Sequence, residues 1–298
     1  MFASSTTGAF RGARFFELPA MGSSDSYKKE SVMKRSAAFV ALLMVAGMAH
    51  AEDGLSLGVG VDYSSGDYGS ETTTKILSVP LSARYNTGDW SFKASLPWMR
   101  VEGDANVVPG LGLIENLNPI GRGRGNSGGG GNTDAPTSGT TSGIGDLRLT
   151  ATYAVPLQGA WGVDLTANVK VATADEDKGL GTGANDYGAA VDVYRSVGET
   201  TTLFGGVGYT VLGDSDYIEV DSVLNGNVGV SHKLGENSIG VMYDYRQPTS
   251  DDADDRSEVT GFYSFPTSEA SKMQLYATKG LTDGSPDWGA GLSFSAGF

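Results

Sequence analysis

Past residue 51 the chain holds one histidine, His232, and it has no cysteine anywhere. Hydrolysis of lipid by a Ser, His and Asn set needs a histidine within hydrogen-bond reach of a serine, and a third group to orient it. The neighbours of His232 at two-residue spacing are Val230 and Leu234, which puts its ring on the apolar face of a strand, and no serine stands where the nucleophile would. No catalytic residue is expected. One usable histidine and no cysteine also leave only scattered carboxylates for a metal. Two acidic clusters, "ADEDKG" from Ala174 and "DDADD" from Asp251, invite divalent cations or cationic solutes. Neither has the ligand spacing of a calcium loop, so a solvated acidic surface is the expectation, with no metal and no cofactor.

The other residues able to do chemistry are charges set between apolar neighbours: Asp62, Arg84, Lys93, Asp146, Arg148, Asp164, Lys170, Asp192, Asp244 and Arg246. If the turn "LQG" joins its flanking strands symmetrically, Ala154 faces Gly162, Thr152 faces Asp164, and Asp146 faces Lys170. Charges of both signs then share one wall. They read either as a narrow polar path that orients a solute or as a salt-bridged interior that braces a nearly closed one. Arg122 and Arg124, in "NPIGRGRGNSGGGG", supply positive charge to a constriction if that segment folds inward, and otherwise belong to an outer loop.

Strands must position these groups. In "LSLGVGVDY" the residues Leu55, Leu57, Val59, Val61 and Tyr63 alternate with small or polar ones, the mark of a strand with one apolar face. The pattern recurs to give twelve strands, ending at Trp288 to Phe298. Joins after even-numbered strands are short ("NTGD", "LQGA", "VGET", "LGEN") and several after odd-numbered ones are long. That asymmetry predicts an all-β fold, a transmembrane antiparallel β-barrel of about 12 strands with both termini on the periplasmic side. Alternation alone also suits a soluble β-sandwich or a secreted adhesin. Aromatic placement separates them. Tyr85, Trp90, Tyr153, Trp161, Tyr263, Phe265 and Phe298 fall at one set of strand ends, and Tyr63, Trp98, Tyr187, Tyr209, Tyr245 and Trp288 at the other. Rings at both ends form interfacial girdles, whereas a sandwich core places its largest side chains in mid-strand.

Export fits this architecture. Lys34 and Arg35 precede an apolar run from Ala37 to Ala49, and Ala49-His50-Ala51 offers the small-x-small cleavage pattern. Thirteen apolar residues are too few for a spanning helix, which needs roughly 20. The expected organisation is an N-terminal extension over 1–32 that does not belong to the fold, a cleaved signal peptide over 33–51, and a barrel over 52–298 with a long extracellular loop at 103–142. Residues 1–51 hold six of the 21 Lys/Arg and three of the 35 Asp/Glu, leaving 15 against 32, a net charge of −17 on the mature 247 residues. So acidic a protein is not expected to bind nucleic acid. The final strand, "WGAGLSFSAGF", resembles the terminal signal read by the barrel-assembly machinery, which makes that machinery, outer-membrane lipids and lipopolysaccharide the expected partners.

Three segments are more particular: "SLPWMRVEG", "SGIGDLRLTATYAVP" and "GTGANDYGAAVDVYRSVGETTTLFGGVGYTVLGD". Together they resemble the family of outer-membrane transporters of the meta-pathway of phenol degradation. The resemblance spreads over most of the mature chain and implies passage of hydrophobic or aromatic compounds across the outer membrane. It transfers no binding residues. The function expected is therefore a channel for passive passage of small solutes, the alternative being a structural or loop-displaying barrel that transports nothing.

Overall fold

The computed structural model describes residues 53–115, 117, 138–250 and 253–298. The expected extension and signal peptide, together with Arg122 and Arg124, lie outside the described residues. Alternating sequence becomes long strands: β1 (Gly54–Gly66), β2 (Thr74–Thr87), β3 (Trp90–Asp104), the short pair β4 (Val107–Val108) and β5 (Gly112–Leu113), β6 (Ser138–Ile144), β7 (Leu147–Val155), β8 (Trp161–Val171), β9 (Asp186–Val197), β10 (Thr201–Val211), β11 (Val223–Leu234), β12 (Asn237–Arg246), β13 (Arg256–Pro266), β14 (Ser271–Gly280) and β15 (Trp288–Gly297).

Both β6 and β7 pair with β3. Between the pairs Ser95↔Arg148 and Trp98↔Ile144, two residues of β3 face three of the other strand. Gly145 and Asp146 therefore form a β-bulge inside one continuous wall strand. Counted so, twelve strands pair antiparallel in chain order, and β15 returns to β1 to close a barrel. Phe298 N–H donates to Leu55 C=O at 2.9 Å across that closing seam. Closure leaves no sheet edge unpaired, the condition for a sheet to cross hydrocarbon.

One face of the wall strands is apolar and largely exposed, with Leu81, Val207 and Val228 about 60% accessible. A water-soluble sandwich would bury such a band. Rings gather at its two rims. Tyr63 and Trp288 lie 5.4 Å apart at the outer end, and Trp90 lies 4.9 Å from Tyr153 at the other, where the Arg195 guanidinium also sits 5.1 Å from Trp161.

The register corrects the symmetric turn expected between β7 and β8. Ala154 faces Asp164, Thr152 faces Thr166 and Arg148 faces Lys170, a slip of two residues. Pro156 has no N–H to donate, so the ladder stops at Val155↔Val163 and the turn is wider than expected. An even slip leaves each side chain on its expected face. The long connection is also shorter than 103–142, because β3 runs through Asp104 and β6 begins at Ser138. At its start Gly103 has φ 139°, and a Cβ there would stand 2.5 Å from Thr74 Cα. That close approach turns the chain back into the barrel mouth.

Two prolines oppose each other in the wall, Pro80 of β2 and Pro97 of β3. Beside them the pairing of β1 with β2 lapses at Gly60 and Val61 without a change of register, and that of β3 with β7 ends before Leu96 and Pro97.

Candidate lumen site

The inward face of the strands carries the charges singled out above. Lys170 Nζ lies 2.9 Å from Asp186 Oδ2 and 3.6 Å from Asp146 Oδ2, and it donates to Thr182 Oγ1 at 3.0 Å. The bulge aims Asp146 at this lysine. Its Oδ1 also accepts the N–H groups of Thr173 and Ala174 at 3.1 and 3.0 Å, fastening the β8–β9 loop to the wall. Asp146, Lys170 and Asp186 are all buried, so the pairing offsets desolvation that each would otherwise bear alone. Arg84 and Lys93 are cross-strand neighbours, as are Asp164 and Asp192, both 2% exposed. Tyr276 donates its hydroxyl to Asp62. Asp244 stands opposite Glu258, which takes two hydrogen bonds from Arg256 at 2.6 and 3.0 Å.

Above this layer the segment after Gly103 enters the barrel as the hairpin of β4 and β5. Its apolar residues Val108, Leu111 and Ile114 pack with Leu212, Ile218, Val220 and Val223 from the β10–β11 side. Arg246 anchors the tip, donating to the carbonyls of Gly110 and Leu111. Among the described residues, 105–114 narrow the lumen. Beneath them is a cavity of ≈150 Å³, walled by Lys93, Asp146, Arg148, Lys170 and Asp186 and roofed by the hairpin tip.

Five of the ten charges expected in the lumen therefore meet at this cavity, Arg246 being the fifth; Asp62, Arg84, Asp164, Asp192 and Asp244 do not line it. Sequence reasoning missed Asp186, although it continues the alternation of Gly188, Ala190 and Asp192. It also missed four inward rings. Tyr194, Phe204, Phe262 and Tyr276 each lie over a glycine that is their cross-strand partner, namely Gly162, Gly229, Gly240 and Gly291. A ring out of phase with the lipid-facing residues and opposite a glycine was the available signal.

Outside the lumen, His232 is exposed near the short-turn end, its Nδ1 2.9 Å from Thr201 Oγ1. In the acidic loop, a 3-10 turn at Glu176–Lys178 brings Lys178 Nζ 2.8 Å from Asp175. The hydrogen bond from Lys178 holds the Asp175 carboxyl below the usual range. Any stability from it is present above the ordinary carboxylate pKa and fades as pH falls, and it is small because both partners are exposed. No cluster of three or more metal-ligating side chains occurs among the described residues.

Residues 87–298 match the model of the family described as "Putative MetA-pathway of phenol degradation". No curated protein matches the chain. Among solved structures, the barrel is similar to the COG4313 outer membrane channel from Pseudomonas putida F1, with a TM-score of 0.64 and 17% identity over 86% of this chain and all of that one. The P. putida toluene transporter TodX gives a TM-score of 0.42 at 12% identity, covering 83% of this chain and 91% of TodX. The KdgM porin gives 0.46 at 9%, covering 81% and 99%.

Proposed function

The chain belongs to the phenol-degradation MetA-pathway family, matched over residues 87–298, and from that premise we propose that it is an outer-membrane channel for passive passage of small molecules, hydrophobic and aromatic compounds among them. One observation carries the proposal: a closed wall, apolar outside and polar inside, surrounds a cavity where a small eight-stranded barrel would be filled by side chains. Outer-membrane lipid covers the exposed apolar band. Residues 33–51 direct export and are removed, lipopolysaccharide meets the outer loops, and the strand ending at Phe298 engages the assembly machinery. No covalent chemistry is needed, and His232, facing outward, serves none.

The apolar hairpin in the mouth supports a second reading, a barrel closed to solutes. Liposome swelling with purified folded protein separates the two. Selective swelling with small sugars, charged solutes or aromatic acids is expected, together with altered ion selectivity in Lys93→Glu. A demonstrably folded barrel that passes none of them, nor a neutral aromatic tracer, would leave the closed reading.

A further inference from the structure

We infer that the lumen cavity binds a monocyclic aromatic anion of the benzoate type, its carboxylate on Arg148 and its ring against the hairpin. The inference deepens the channel proposal and rests on it.

Charge comes first. The cavity is lined by four cations, Lys93, Arg148, Lys170 and Arg246, and by two carboxylates, Asp146 and Asp186. It is therefore net positive inside a chain whose net charge is −14. Both carboxylates pair with Lys170 and also act electrostatically on Arg148, so four cations share two anions. The terminal nitrogens of Arg246 are held by hairpin carbonyls, while its buried Nε has no hydrogen-bond partner. Arg148 forms no ion pair among the described residues and is exposed to the lumen. Its Nη2 lies at the hairpin tip, 3.3 Å from where a Cβ on Gly110 would stand. A guanidinium so placed offers two parallel N–H donors to a carboxylate.

Shape supplies the rest. The same cavity is lined by Val108, Leu111, Leu212 and Val223, apolar side chains beside the hairpin tip that Arg148 and Arg246 reach. A volume of about 150 Å³ is enough for one benzene ring, and this cavity, apolar on part of its lining only, measures ≈150 Å³. An inorganic anion would leave the apolar side unfilled, a long acyl chain would not fit, a cation would be repelled, and a neutral phenol would leave the positive charge uncompensated.

Titration calorimetry on the purified barrel in detergent at pH 8, comparing benzoate, benzyl alcohol and benzylammonium, tests the assignment. Benzoate is expected to bind about tenfold or more tightly than benzyl alcohol, and benzylammonium not to bind. Arg148→Gln removes that preference and leaves benzyl alcohol unaffected, while Arg148→Lys keeps part of it. Benzoate binding no tighter than benzyl alcohol, or unchanged in folded Arg148→Gln, overturns the site. If Arg148→Gln does not fold, the wild-type preference and its reduction in Arg148→Lys decide. Swelling run on the same preparation keeps the two proposals apart: flux without benzoate preference overturns only the site, and benzoate binding without any flux overturns only the channel.

Discussion

Lys170 is the side chain on which the inner wall most depends. It is buried, and it is the shared counter-charge of two carboxylates on neighbouring strands. Lys170→Met would leave Asp146 and Asp186 facing each other in a site of low dielectric. Breaking a buried pair from one side costs about 3–5 kcal/mol, and the loss is expected as a lower denaturant midpoint in detergent, with the barrel still able to refold. The side on which each strand charge lies was legible from its apolar neighbours alone. Asp146 and Lys170 meet as expected, though by another register, whereas the contact of Lys170 with Asp186 was not foreseen. Asp146 reaches Lys170 through a bulge, and a bulge comes from pairing across strands, which the alternation of a single strand does not record. The inward rings were hidden for a similar reason, because each is accommodated by a glycine on a different strand.

At the scale of elements, the hairpin of β4 and β5 is the part of the described chain that narrows the mouth. Its hold on the wall combines apolar packing with the two hydrogen bonds from Arg246. Arg246→Ala removes the polar anchor without touching a strand pairing, so the barrel is expected to fold while uptake of small neutral solutes rises severalfold. Unchanged uptake would mean that packing alone holds the hairpin. The twelve wall strands could be read from period-2 patterning because one face meets lipid along its whole length. The hairpin could not, since two-residue strands carry no period. Its apolar residues Val107, Val108, Leu111, Leu113 and Ile114 are the mark it leaves in the sequence. The slip between β7 and β8 shows the same limit: faces follow from parity, but register follows from where Pro156 ends the ladder.

For the whole molecule, closure is the non-local act. The seam of β1 with β15 joins residues more than two hundred positions apart, and no local turn prepares it, so late and slow formation is the expectation. Deleting residues 288–298 would expose the edges of β1 and β14 to hydrocarbon. The heat-modifiable folded species in gel electrophoresis is expected to disappear, and its survival would show that the remaining strands can close by another pairing. The opposed prolines bear on the finished barrel in a different way. Strands β2 and β3 are paired without a break from Lys75↔Glu102 to Thr87↔Trp90, and the pairing of each with its outer neighbour lapses for two residues at about the level of Pro80 and Pro97 and then resumes. A proline has no N–H to give a ladder, and opposing the two confines that loss to one depth of the wall.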